Sequence, residues 1–397
     1  MSEGYRPPRA RPGDSSAPDR SAPDLADPDW VVMLSGSPWR ADAHRQQAMA
    51  RQLAADRRVL FVDPPGQRPR WRWAVRPVAP RLWHAVVPTA LPMGRQLPPV
   101  NVLTRRCGAR VLRRWLDERP GPRLLWIDED LAAPAIGRLG ESAVVYDATD
   151  LDWTFTRWWN RWHLRAGLRA AVSAADLVLA SSSALPERLP AARRPAVVVP
   201  NGCDPDQFTP VGPVAPWVAR LPRPLLGYAG AVDTRAFDAE LVASVAAARP
   251  EWTFLLVGPS TPAGRAPLER LANVLLVDAV PFAETPAILR ACDVTMIPYR
   301  VNGLIDYVHP KKCYEYLALG KPVVATPLPA LRELRELRGA VRLAGDAAEF
   351  TAAVEQALRT ADQPAEVAER RAMAVRNAWS VRGALVRELL AGIGASP

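Results

Sequence analysis

Cysteine and histidine are scarce, at four residues each in a chain of 397. Cys107, Cys203, Cys292 and Cys313 lie far apart, with no CxxC pair and no metal-ligand spacing. That argues against a structural zinc site and points to reduced thiols. No uninterrupted apolar stretch approaches the roughly 18–20 residues that span a bilayer. The segment from Met1 to Asp29 is rich in Pro, Ser, Asp and Arg and has no apolar h-region. It reads as a disordered tail rather than a signal peptide, so the chain is expected to stay in the cytoplasm. No RNA- or DNA-binding motif accompanies the positive charge, which weighs against nucleic acid as a partner.

What is present suits two packed domains. A hydrophobic fraction of 49% supplies two packed cores, and the length suits two domains of roughly 150–200 residues each. A formal charge of +10 favours an anionic partner, and nucleic acid, lipid headgroups and phosphorylated substrates all qualify on charge alone, although an Arg-rich composition also has a plain source in codon bias.

Short β-branched runs alternate with helical segments throughout. WVVMLSG (30–36), RRVLFVDPPG (57–66), RLLWIDED (123–130), AVVYDATD (143–150), DLVLASS (176–182) and AVVVPNG (196–202) read as buried parallel strands of a first half. PLLGYAG (224–230), TFLLVGP (253–259), NVLLVDAVPF (273–282), DVTMIPY (293–299) and KPVVATP (321–327) repeat the rhythm in a second. The pattern predicts an α/β chain of two doubly wound sheets with a ligand cleft between their carboxyl ends. The expected division is a tail over 1–28, a first domain over 29–210, a second over 211–375, and a final helix over 376–397 that packs back on the first.

The densest chemical signal is HPKKCYEYLALGKPVVAT, His309 to Thr326. Pro310 marks a helix start and Gly320 its end. Lys311 and Lys312 in the first turn oppose the helix dipole, a cost that a bound anion removes, and Lys312 with neighbouring amides makes a phosphate site. Glu315, one turn on, is placed to accept hydrogen bonds from ribose hydroxyls. In LLGYAGAVDTR, Gly227 and Gly230 form a Gly-x-x-Gly turn that permits close backbone approach to a ligand, with Arg235 beyond it. VVYDATDLDW puts Asp147 and Asp150 just past a strand, where an acid either caps a helix or serves as a base on a hydroxyl.

The His309–Thr326 segment resembles the nucleotide-sugar site of GT-B glycosyltransferases of the large retaining group (family 4). It is most similar to the teichuronic acid and xanthan-type branch, through Pro310, Lys312, Glu315, Tyr316, Leu317, Ala318, Gly320 and Pro322–Thr326. The resemblance implies a GT-B fold and transfer of a hexose-like unit from a nucleotide diphosphate sugar, with retention and without a metal or other cofactor. It places Lys312 on the diphosphate, Glu315 on the ribose, Gly230 and Arg235 on phosphate, and Asp150, then Asp147, as the catalytic acid of the first half. In the wider family a glutamate stands eight positions before Glu315. Tyr307 stands there in this chain, and Asp306 or His309 is the expected substitute. A nucleotide-sugar epimerase and a non-catalytic scaffold of the same fold are the rival readings.

Tryptophan and arginine interleave in RPRWRWAVRPVAPRLWHA (68–85) and FTRWWNRWHLRAGLRAA (155–171), where Trp158, Trp162, Arg165 and Arg169 share a helical side. Such a surface suits a bilayer interface, so peripheral attachment to the inner leaflet and a lipid-linked acceptor are expected.

Overall fold

A computed structural model describes residues 30–39, 44–89, 91–92, 97–149, 161–302, 305–333 and 339–393. Its first sheet contains β1 (Trp30–Leu34), β2 (Arg58–Val62), β3 (Ala74–Ala79), β4 (Leu82–Val86), β5 (Arg123–Ile127), β6 (Ala143–Ala148), β7 (Leu177–Ala180) and β8 (Val197–Val198). Their order is β3-β4-β2-β1-β5-β6-β7-β8, parallel except for β3, which runs antiparallel to β4. The second sheet contains β9 (Leu225–Ala229), β10 (Thr253–Val257), β11 (Val274–Val277), β12 (Val294–Ile297), β13 (Val323–Ala325) and β14 (Val341–Leu343), ordered β11-β10-β9-β12-β13-β14 and wholly parallel.

Alternation along β1 sends Trp30, Val32 and Leu34 to one face and Val31 and Met33 to the other. The helices Pro98–Asp117 and Arg161–Ala174 cover the first face through Leu112, Leu116, Leu168 and Val172. The helix Arg45–Leu53 covers the second, joined there by Trp379, Val386 and Leu390 of the last helix, Trp379–Gly392. Gly383 sits against Gln52, where a Cβ would come within 2.9 Å of Cγ, so the chain end packs on the first domain.

In each sheet the order reverses beside the first strand, between β1 and β5 and between β9 and β12. The crevices beyond the carboxyl ends at these two points are where open α/β sheets take ligands. Polar contacts join the domains near them. Ser182 Oγ donates to the Tyr307 carbonyl at 2.6 Å, and Asn201 Nδ2 donates to the His309 carbonyl at 2.8 Å. The Tyr307 ring is fully buried in the first domain's core although it belongs to the second half of the chain. Tyr307 is therefore an aromatic interlock between the two halves of the chain.

Candidate active site

The second crevice is built around Lys312. β9 ends at Ala229, whose amide donates to Tyr316 Oη at 3.0 Å, and Gly230 follows. Tyr299 comes two residues after β12, across the crevice. Lys312 opens the helix Lys312–Ala318, and its Nζ donates to Tyr299 Oη at 3.2 Å. The ammonium lies 6.0 Å from the Tyr228 ring centroid and 5.9 Å from that of Tyr299, within cation–π range. Burial pulls its pKa down, but Tyr299 and Glu315 outweigh that and leave it raised, so the amine stays charged. A Cβ on Gly230 would stand 2.6 Å from Lys312 Cε and 2.7 Å from Tyr228 Oη. Only a glycine lets the backbone come so near this cation. The structure thus brings Gly230 and Lys312 together. The flanking phenols of Tyr228 and Tyr299 carried no motif that the sequence alone would reveal.

Glu315 is 7% exposed and pairs with Lys311 Nζ at 3.2 Å, while that ammonium lies 4.9 Å from the Phe282 ring centroid. The acid, the second lysine and an aromatic from the loop after β11 therefore form one cluster. Pro310 is buried just outside the helix, its carbonyl taking the Cys313 amide at 3.1 Å. The helix starts at Lys312 rather than at His309, because the proline directs the chain into it without belonging to it. His309 is buried and stacks on Tyr314 at 5.5 Å. Burial, reinforced by Arg382 and Arg45, pushes its pKa down to about 3, so the imidazole is neutral at physiological pH.

Four expected site residues lie elsewhere or outside the described residues. Gly227 is inside β9, where a Cβ would stand 3.2 Å from Cys292 Cβ. Its role is close packing of strand on helix, which corrects the phosphate contact expected of it. Asp147 is 1% exposed, and Arg45 grips it through Nε at 3.1 and 3.0 Å and Nη2 at 2.8 Å. The same guanidinium donates to the Val199 carbonyl at 2.8 Å, so Asp147 is a buried interlock rather than an open base. Arg235 is exposed and pairs with Asp233 at 3.5 Å. Asp150 and Trp158 lie outside the described residues. Among the described residues no group of three or more His, Cys, Asp or Glu is placed to hold a metal ion.

The segment containing this crevice also matches a known family. Residues 223–360 fit the family model described as glycosyl transferases group 1. A Bacillus subtilis protein named as a teichuronic acid biosynthesis glycosyltransferase, TuaH, is 32% identical over 115 residues, 28% of this chain and 29% of that protein. The match therefore spans less than a third of the curated relative. Similar solved structures extend over both domains. Sucrose-phosphate synthase from Thermosynechococcus elongatus aligns with a TM-score of 0.69 at 18% identity, covering 93% of this chain and 99% of that one. Anabaena HepE in complex with UDP aligns at 0.65 and 17%, covering 91% and 99%. These likenesses show the fold alone, the GT-B arrangement of two Rossmann-like domains about a cleft.

Proposed function

We propose that the chain is a glycosyltransferase moving a hexose-like sugar from a nucleoside diphosphate donor to a hydroxyl acceptor in cell-envelope polysaccharide synthesis. The observation that carries this reading is the contact of Gly230 with the Lys312 ammonium at the β9/β12 crevice, inside the family-matched segment. A charged amine beside open backbone is suited to a diphosphate, and it stabilises that group as it departs. Glu315 is assigned to the ribose, with Lys311 and Phe282 nearby for the rest of the nucleoside. Lys312 supplies the neutralising charge, so the reading assigns no metal role. Retention follows from the family 4 resemblance. Uridine is the first base to test, because HepE is described with UDP and with UDP-glucose.

The reading also places the protein at an anionic membrane surface. Trp162 is 63% exposed beside exposed Arg161, Arg165 and Arg169, and Trp71 is 77% exposed. Among the described residues, no helix is long and apolar enough to cross a membrane. Co-flotation with anionic liposomes at low salt supports attachment, and its absence removes it. For the activity, a thermal-shift screen against UDP, GDP, TDP and ADP sugars is the first experiment. Stabilisation by none of them sinks the donor assignment. Binding without transfer favours a scaffold, and donor isomerisation without acceptor favours an epimerase.

A further inference from the structure

Of the chain's 51 lysines and arginines, only Lys311, Lys312 and Lys321 are lysine. A sequence that otherwise uses arginine throughout keeps its primary amines at or beside the helix Lys312–Ala318. The first two have different partners. Lys311 is neutralised by Glu315 at 3.2 Å. Among the described residues Lys312 pairs with no carboxylate, and its one hydrogen bond runs from Nζ to Tyr299 Oη at 3.2 Å.

Tyr299 is itself immobilised. It is 8% exposed, and its ring meets that of Tyr228 edge-on at 6.4 Å. Its amide donates to Thr326 Oγ1 at 3.0 Å, and its backbone pairs with Phe237 in an antiparallel bridge. On either side the Pro298 carbonyl accepts the Asp238 amide and the Arg300 amide donates to the Ala236 carbonyl, both at 2.8 Å. A lysine side chain otherwise samples many rotamers, so an acceptor fixed in this way confines it.

The chemistry of that acceptor matters as much as its rigidity. A carboxylate would pair with the ammonium, and an incoming anion would have to break the pair. A phenol is uncharged at neutral pH. It takes one of the ammonium's three donors and leaves the others, with the charge, to a ligand. We infer that Tyr299 is a positioning residue of the donor site: its hydroxyl holds the Lys312 ammonium beside the Gly230 backbone without neutralising it, leaving that charge to the donor's diphosphate. This role rests on the glycosyltransferase reading of the crevice. The charge balance agrees with it. Burial pulls the Lys312 pKa down, and Tyr299, then Glu315, raise it by more. Tyr228 faces the ammonium from the other side with its hydroxyl committed to the Ala231 carbonyl at 3.0 Å. Without the Tyr299 hydroxyl, Glu315 alone offsets burial, and Lys311 already engages that acid.

The test is Tyr299→Phe in the full chain, which keeps the ring and removes the hydroxyl. With so few lysines, isotope-labelled lysine lets NMR follow each amine separately. Lys312 should titrate at a lower pH in the variant than in the wild type, while Lys321 keeps its midpoint. In isothermal titrations UDP affinity should fall roughly 3–10-fold, the loss of one neutral hydrogen bond, with uridine affinity unchanged. In a Lys312→Ala background the same substitution should cost UDP nothing further, because the hydroxyl acts only through the amine. A folded Tyr299→Phe protein that binds UDP as the wild type does, an equal loss in the Lys312→Ala background, or an unmoved Lys312 titration overturns the role. Failure of the wild type to bind UDP instead overturns the donor reading beneath it, and the lysine titration then still decides whether Tyr299 holds the amine.

Discussion

Replacing Gly230 by alanine adds one methyl group at the most crowded point of the second crevice. The new Cβ would lie 2.6 Å from Lys312 Cε and 2.7 Å from Tyr228 Oη. Carbon atoms pack at about 3.5–4.0 Å, so something must move by roughly 1 Å. Tyr228 is poorly placed to yield, being buried with its hydroxyl donating to the Ala231 carbonyl at 3.0 Å. The lysine end is the softer element, and its retreat takes the ammonium from Tyr299 and from the space beside the Gly230 backbone. Losing one charge-assisted contact to a diphosphate costs about 1.5–3 kcal/mol, which is roughly 10–150-fold in Kd. Isothermal titration of UDP against wild type and Gly230→Ala measures this directly, with thermal unfolding as the check that both are folded. A folded alanine variant that binds UDP with wild-type affinity refutes the reasoning, because the crowded lysine would then have no part in binding.

Two other perturbations read separate parts of the account. His309 is held neutral with a pKa near 3. The folded state therefore resists protonation, and stability present above pH 6.5 is lost as pH falls toward 3. Two pH units below 6.5 this amounts to about 2–3 kcal/mol, so His309→Gln should flatten the acid side of a Tm–pH curve between pH 6.5 and 4.5; an unchanged slope counts against it. Breaking the buried Arg45–Asp147 pair with Asp147→Asn or Arg45→Met should destabilise each single variant by about 3–5 kcal/mol. In urea unfolding the double variant should recover part of that loss, and strict additivity would mean that the pair is not the reason.

The strands were readable because parallel strands buried on both faces are continuous apolar runs, as in β1, β5 and β10. The β3–β4 hairpin has no such signature. Its first strand carries Pro77 and lies largely exposed, so the Trp–Arg stretch shows no alternation to mark a pair. At the site, Lys312, Glu315 and Gly230 were legible from local motifs. Gly227 looked equivalent to Gly230, but a strand glycine also serves close packing, and only the position of Cys292 decides between the two. Asp147 looked like an exposed acid because its partner Arg45 is 102 residues away. Local chemistry is written in neighbouring residues, whereas burial and pairing across a sheet are set by the topology.

The central claim is that the Lys312 ammonium, standing beside the Gly230 backbone, receives a diphosphate. Comparing UDP with uridine in titrations of the wild type and Lys312→Ala isolates that group. The account predicts that the alanine variant loses roughly 10–100-fold in UDP affinity and leaves uridine affinity unchanged. Equal affinity of the two proteins for UDP, or an equal loss for both ligands, contradicts it.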